Sequence, residues 1–116
     1  MKNEADWKSQ LRKAFDTCGA QSLSLHGHGM QAPGWPDLWI GHHLWKGWIE
    51  LKMWNGEVST PQRIIGRKLE KIGSFFVLRA TKDKLFCRLE DHDGKVYNGA
   101  DLPILGAREI LERLAW

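Results

Sequence analysis

Apolar residues recur at i, i+4, i+7, i+8 and i+11 through Trp7, Leu11, Ala14, Phe15 and Cys18, the one-sided stripe of an amphipathic helix. Asn3 stands where an N-cap belongs, and Gly19 supplies a stop. The pattern then changes to strict alternation. Leu38 and Ile40 interleave with Asp37 and Trp39, and Ile49, Leu51 and Met53 interleave with Trp48, Glu50, Lys52 and Trp54. Two strands are therefore expected, paired antiparallel through a short connection from His42 to Gly47. A second helix from Pro61 to Ile72 places Ile64, Ile65, Leu69 and Ile72 on its inward side and ends at Gly73. A buried strand from Phe75 to Arg79 follows. Leu85 to Leu89 and Lys95 to Tyr97, joined through Asp91-His92-Asp93-Gly94, predict a β-hairpin, and Ala107 to Trp116 a short helix with Ile110, Leu111 and Leu114 inward. With a further strand around Ser22 to His26, the core order is αβββαβ: an α/β fold with a mixed β-sheet flanked by helices, then a C-terminal hairpin and helix.

The same alternation carries chemistry. Glu50 and Lys52 share a strand face, and antiparallel pairing brings Asp37 toward Glu50 at one end of the sheet. Hydrolysing a phosphodiester requires neutralising charge on the phosphate, an attacking hydroxide and a stabilised leaving oxygen. Hard carboxylate ligands holding Mg²⁺ or Mn²⁺ serve those needs. Asp37 and Glu50 are the candidate ligands, joined by the backbone carbonyl of Leu51. Lys52 is the candidate for orienting or deprotonating the water. Singly, Pro-Asp is usually a turn and Glu-x-Lys a solvated charge set. Their order on consecutive strands, followed by a helix opening with Ser59-Thr60-Pro61-Gln62, is more specific.

That arrangement resembles the Pro-Asp/Glu-x-Lys (PD-(D/E)XK) nuclease superfamily, which has a restriction-endonuclease-like fold, and within it the virus-type replication-repair (VRR-NUC) nucleases. The resemblance covers roughly residues 4–80. It rests on Gly34-Trp35-Pro36-Asp37-Leu38, Ile49-Glu50-Leu51-Lys52, the polar Gly56 to Thr60 turn, Gln62, and Gly73 before Phe75-Phe76-Val77-Leu78. It implies that Asp37, Glu50 and Lys52 form a Mg²⁺ or Mn²⁺ site supported by Gln62, with Glu4 as a possible further ligand. It also implies activity on branched DNA, in the manner of a phage-type Holliday-junction endonuclease making paired nicks as a homodimer. The other enzyme reading is a less selective DNA nicking endonuclease. The non-enzyme reading is a basic nucleic-acid-binding module whose acids are structural.

Several residues carry two readings. Gln62 closes a Ser59-x-x-Gln62 capping box, or supports the site while Thr60 and Pro61 start the helix. Glu4 complements the helix dipole, or turns inward as a ligand. Arg63 and Arg67, one helical turn apart, are candidates for phosphate contact. His26 and His28 in a glycine-rich loop are candidates for approaching DNA, whereas His42 and His43 read as solvent-exposed turn residues. Of seven tryptophans, Trp7 belongs to the core. Trp48 and Trp54 either pack beneath the first helix, form a dimer interface or stack on unpaired bases.

Composition sets the outer bounds. A chain of 116 residues and 13.4 kDa suits one domain over residues 1–116, and 42% apolar residues suffice for a core. No apolar run approaches the ~20 residues of a membrane span. Cys18 and Cys87 lack partner spacing, so the expectation is a soluble protein of the cytoplasm, or of a host's cytoplasm if a phage encodes it. A net charge of +3 and pI near 9.0 suit a polyanionic partner without demanding one.

Overall fold

The computed structural model describes residues 1–25, 33–97 and 99–116. Asn3 caps α1 (Glu4–Thr17), its side-chain oxygen accepting the Asp6 N–H at 2.9 Å, and Gly19 leaves the helix with φ of 84°. Trp7, Leu11 and Phe15 along its stripe are fully buried. The strands that follow are β1 (Gln21–Ser24), β2 (Leu38–Gly41) and β3 (Lys46–Lys52). Helix α2 (Thr60–Ile72) leads to β4 (Phe75–Ala80), β5 (Phe86–Glu90), β6 (Leu102–Pro103) and α3 (Ala107–Leu114). The six strands form one sheet in chain order, antiparallel throughout except where α2 crosses over and sets β4 parallel to β3. The expected αβββαβ core is present.

Side-chain alternation sorts the sheet into two faces. Ile49 and Leu51 join Leu38, Ile40 and Leu78 beneath α1 and α3, with Ile110, Leu111 and Leu114 closing that side. Phe75, Val77 and Leu69 form a second cluster beneath α2, against which Trp35 and Trp48 pack. Trp48 therefore lies under the second helix rather than the first. It shares the Glu50 face by parity, and α2 is the helix that covers that face.

Three expectations are corrected. Ile64 and Ile72 are 50% and 76% exposed, so the inward stripe of α2 is Gln62, Ile65, Gly66 and Leu69. The Phe75 ring occupies the space a Cβ on Gly66 would need, with its Cε2 2.7 Å away, so a glycine lets helix and sheet approach. The C-terminal hairpin is reduced to one bridge, Glu90 with Val96, and the strand beside β5 is Leu102–Pro103. Leu102 is buried there, whereas Val96 and Tyr97 stay largely exposed. His42 is not a solvent-exposed turn residue. It is buried, with Nδ1 accepting the Leu44 N–H at 3.1 Å and Nε2 lying 3.0 Å from the Cys18 carbonyl. Both ring nitrogens are satisfied by a neutral imidazole carrying its proton on Nε2.

Candidate active site

The approach to Asp37 is fixed by a glycine. Gly34 has φ of 96°, and a Cβ there would meet the Pro61 carbonyl oxygen at 2.4 Å, so the turn before β2 lies directly on the start of α2. The β2–β3 register then pairs Leu38 with Ile49, which sets Asp37 opposite Glu50. Each acid is held by the other's strand. The Asp37 N–H donates to Glu50 Oε1 at 3.1 Å, and the Leu51 N–H donates to Asp37 Oδ2 at 2.8 Å.

Glu50 is 3% exposed. Lys52 Nζ lies 3.4 Å from its Oε2, and Gln62 Nε2 donates to the same oxygen at 2.6 Å. Burial pushes the Glu50 carboxyl up to about 9, and the negative charge of Asp37 and a hydrogen bond between the two carboxyl groups push the same way. Lys52 opposes them.

Gln62 makes a hydrogen bond to the helix cap and another to Glu50. Its Oε1 accepts the Ser59 N–H at 3.0 Å, completing a capping box in which Ser59 Oγ accepts the Gln62 N–H, while its Nε2 serves Glu50. Ser59, not Thr60, is therefore the N-cap. Gln62→Ala is expected to lower stability by about 0.5–1.5 kcal/mol for each hydrogen bond lost, read by denaturant titration. An unchanged midpoint would show that these bonds contribute nothing.

Backbone parity orients Leu51. Trp48 donates its N–H to Ser74 on the β4 side, so Trp48, Glu50 and Lys52 turn their backbone groups toward β4, and Ile49 and Leu51 turn theirs toward β2. The Leu51 N–H reaches Asp37, and its carbonyl faces the same side, beyond the end of the β2 pairing. Met53, two residues on, is pinned at both ends. Glu4 Oε1 accepts the Met53 N–H at 3.1 Å, and Arg79 Nη1 donates to the Met53 carbonyl at 3.0 Å and to the Gly56 carbonyl. Arg79 is itself fixed by Glu90, whose two oxygens accept its Nε–H at 2.9 Å.

A cleft of about 370 Å³ brings together Glu4, Asp37, Glu50, Lys52 and Gln62, with Ala5 and Lys8 completing its wall. Sequence pattern marks neither Lys8 nor Arg79 as a neighbour of the acids. Lys8 lies off the apolar stripe like any solvated lysine, and Arg79 acts through backbone carbonyls that no spacing reveals. Arg63 and Arg67 are exposed and line a separate cleft with Ile64, His92 and Asp93. Trp54 lies beyond the end of β3 rather than on its face. It is 47% exposed, with Lys82 Nζ 5.2 Å from its ring centroid. His26 and His28 lie outside the described residues.

The donor set suits a hard divalent cation. Two facing carboxylates and a carbonyl directed to the same edge are all oxygen, and the raised Glu50 carboxyl marks a place where a cation would relieve repulsion. Among the described residues no three acid, histidine or cysteine groups stand together as a metal cluster, and Glu4 is engaged with Met53. Asp37, Glu50 and the Leu51 carbonyl would supply the protein's share. Mg²⁺ commonly keeps several waters.

No family model and no curated protein matches the sequence. The fold does have a solved counterpart: Archaeoglobus fulgidus Hjc, a Holliday junction resolvase from an archaeal hyperthermophile. The likeness has a TM-score of 0.62 at 15% identity and covers 92% of this chain and 98% of that one. The mixed sheet flanked by helices thus matches the restriction-endonuclease-like architecture, as the superfamily resemblance implies. The narrower virus-type replication-repair group finds no support in these comparisons. Among the described residues no helix is long and apolar enough to cross a membrane.

Proposed function

We propose that the chain is a divalent-metal-dependent endonuclease that hydrolyses DNA phosphodiester bonds, selects branched DNA such as four-way junctions, and works as a homodimer. The observation that carries this reading is the reciprocal clamp between Asp37 and Glu50 with Lys52 beside it in one cleft. Mg²⁺ or Mn²⁺ bound there would neutralise phosphate charge and favour hydroxide at neutral pH. The Asp37 N–H and Gln62 Nε2 fix the Glu50 carboxylate, and the pinned Met53 backbone holds the end of β3 that bears Lys52. The Lys52 ammonium would orient the attacking water and offset charge on the phosphate. A fold like that of a junction resolvase supports branched DNA as the substrate, and a two-fold dimer would match the symmetry of a four-way junction.

The test is cleavage of junction, flap, duplex and single-stranded DNA with Mg²⁺, Mn²⁺ or chelator. Paired nicks on the junction with metal, and none with chelator, are expected. Lys52→Ala should lose about 10²–10⁴ in rate while retaining binding, and Gln62→Ala should lose less. Metal-independent binding without cutting on every substrate would overturn the reading in favour of a binding module. A monomer in native mass measurement at the assay concentration would count against junction resolution.

A further inference from the structure

Beside the catalytic cleft lies a second depression of about 450 Å³ between α1 and β1, sharing Ala5 and Lys8 with the first. Its cations are Lys8 and, one turn later on α1, the adjacent Arg12 and Lys13. Lys8 and Arg12 are neither free nor paired with acid. Lys8 Nζ donates to Ser24 Oγ at 3.3 Å, and Arg12 donates through Nε to Ser22 Oγ at 3.0 Å and through Nη2 to the Ser22 carbonyl at 3.2 Å. Among the described residues no carboxylate pairs with either one, and the groove's single acid is Asp16 at its far end. Two half-buried cations held by neutral hydroxyls keep their charge uncompensated and have already lost part of their rotamer freedom. Both conditions favour an anion contact.

We propose that this groove is a docking track for the sugar–phosphate backbone of the DNA strand being cut, with Lys8 and Arg12 each contacting a phosphate beside the scissile one. The proposal rests on the nuclease reading and deepens it. Lys8 stands where the two depressions meet, so a strand whose phosphate lies at Asp37 and Glu50 continues into the groove without crossing a ridge. Arg12 follows one helical turn later, about 6 Å along the axis. That spacing is comparable to the separation of neighbouring phosphates on one strand. The contacts are to backbone rather than base edges, so they position the strand without reading its sequence.

Binding measured in chelator, with no cutting, isolates the groove from the chemistry. The probe is a fluorescent four-way junction, titrated at several salt concentrations with the full chain. Arg12→Gln should weaken binding uniformly across sequences and lower the slope of log K against log salt by about 1. Lys13→Gln, at an exposed residue of the groove wall whose side chain makes no hydrogen bond among the described residues, guards against misfolding of the Arg12 variant and should shift the slope the same way. Lys46→Gln removes the same charge at the opposite end of β3 and should leave the slope as in the parent. Equal effects from all three variants, or none, would overturn the groove while parent cleavage keeps the nuclease reading. If the parent cuts no DNA at all, the nuclease reading and the assignment of the bound strand as the cut one fall together, and the slope comparison alone then judges the groove as a nucleic-acid site.

Discussion

Replacing Glu50 by Gln is expected to abolish metal-dependent cleavage and, at pH 8, to leave a protein that resists heat better than the parent. The Glu50 carboxyl is raised from 4.5 to about 9 by burial and by the neighbouring Asp37. A raised acid favours the folded state while protonated. Its contribution is complete below pH 4.5 and is lost as pH climbs toward 9. Gln shares the zero charge of the protonated form at every pH, so the difference in melting temperature between variant and parent should widen from pH 5 to pH 8. Each 1 kcal/mol relieved corresponds to about 4 °C in a domain of this size. Mn²⁺ should stabilise the parent more than the variant and so narrow the gap at pH 8, because a ligand at 100 times its Kd adds about 2.7 kcal/mol to the protein that binds it. Melting curves of both proteins across this pH range, with and without Mn²⁺, provide the check. Parallel curves that respond equally to metal would remove Glu50 from the site.

Arg79→Met is expected to cost about 3–5 kcal/mol, because it strands the buried Glu90 carboxylate without its principal partner. Arg88 remains within 3.2 Å of one oxygen, but it is half exposed and reaches neither the Met53 nor the Gly56 carbonyl. The loop between β3 and α2 should loosen, and cleavage should fall by more than the folded fraction does. Adding Glu90→Gln removes the stranded charge and should restore much of the stability without restoring the loop. Denaturant midpoints for the two singles and the double close a thermodynamic cycle. A single Arg79→Met variant within about 1 kcal/mol of the parent would show that Glu90 tolerates the loss.

The residues that alternate were legible and those that act through backbone were not. Period-2 patterning put Ile49 and Leu51 together on one apolar face and brought Asp37 to Glu50, because a strand has only two faces and one of them must be apolar. In α2 the same reasoning failed. Three isoleucines outweighed a glycine in the pattern, yet the helix turns Gly66 to the sheet because the Phe75 ring needs that space, and Ile64 and Ile72 are carried outward as a consequence. The C-terminal strand was misplaced for a related reason. Lys95 to Tyr97 has stronger β-formers than Leu102 and Pro103, but Leu102 is the one whose burial completes the cluster beneath α3. His42 looked like a loop residue until the Cys18 carbonyl at the end of α1 came within 3.0 Å of its ring. Such contacts between segments far apart in sequence leave no mark on local pattern.

The divided amide of Gln62 narrows what evolution or design can place at that position. Glu would match its length and still accept from Ser59, but would present a third carboxylate to Glu50 in place of a donor. Asn carries both functions on a stem one carbon shorter, and Lys or Arg can donate but cannot close the capping box. Among ordinary side chains of that reach, only glutamine offers an acceptor to the helix and a donor to the acid at once. The choice of residue for beginning α2 and the choice for steadying Glu50 are therefore a single choice.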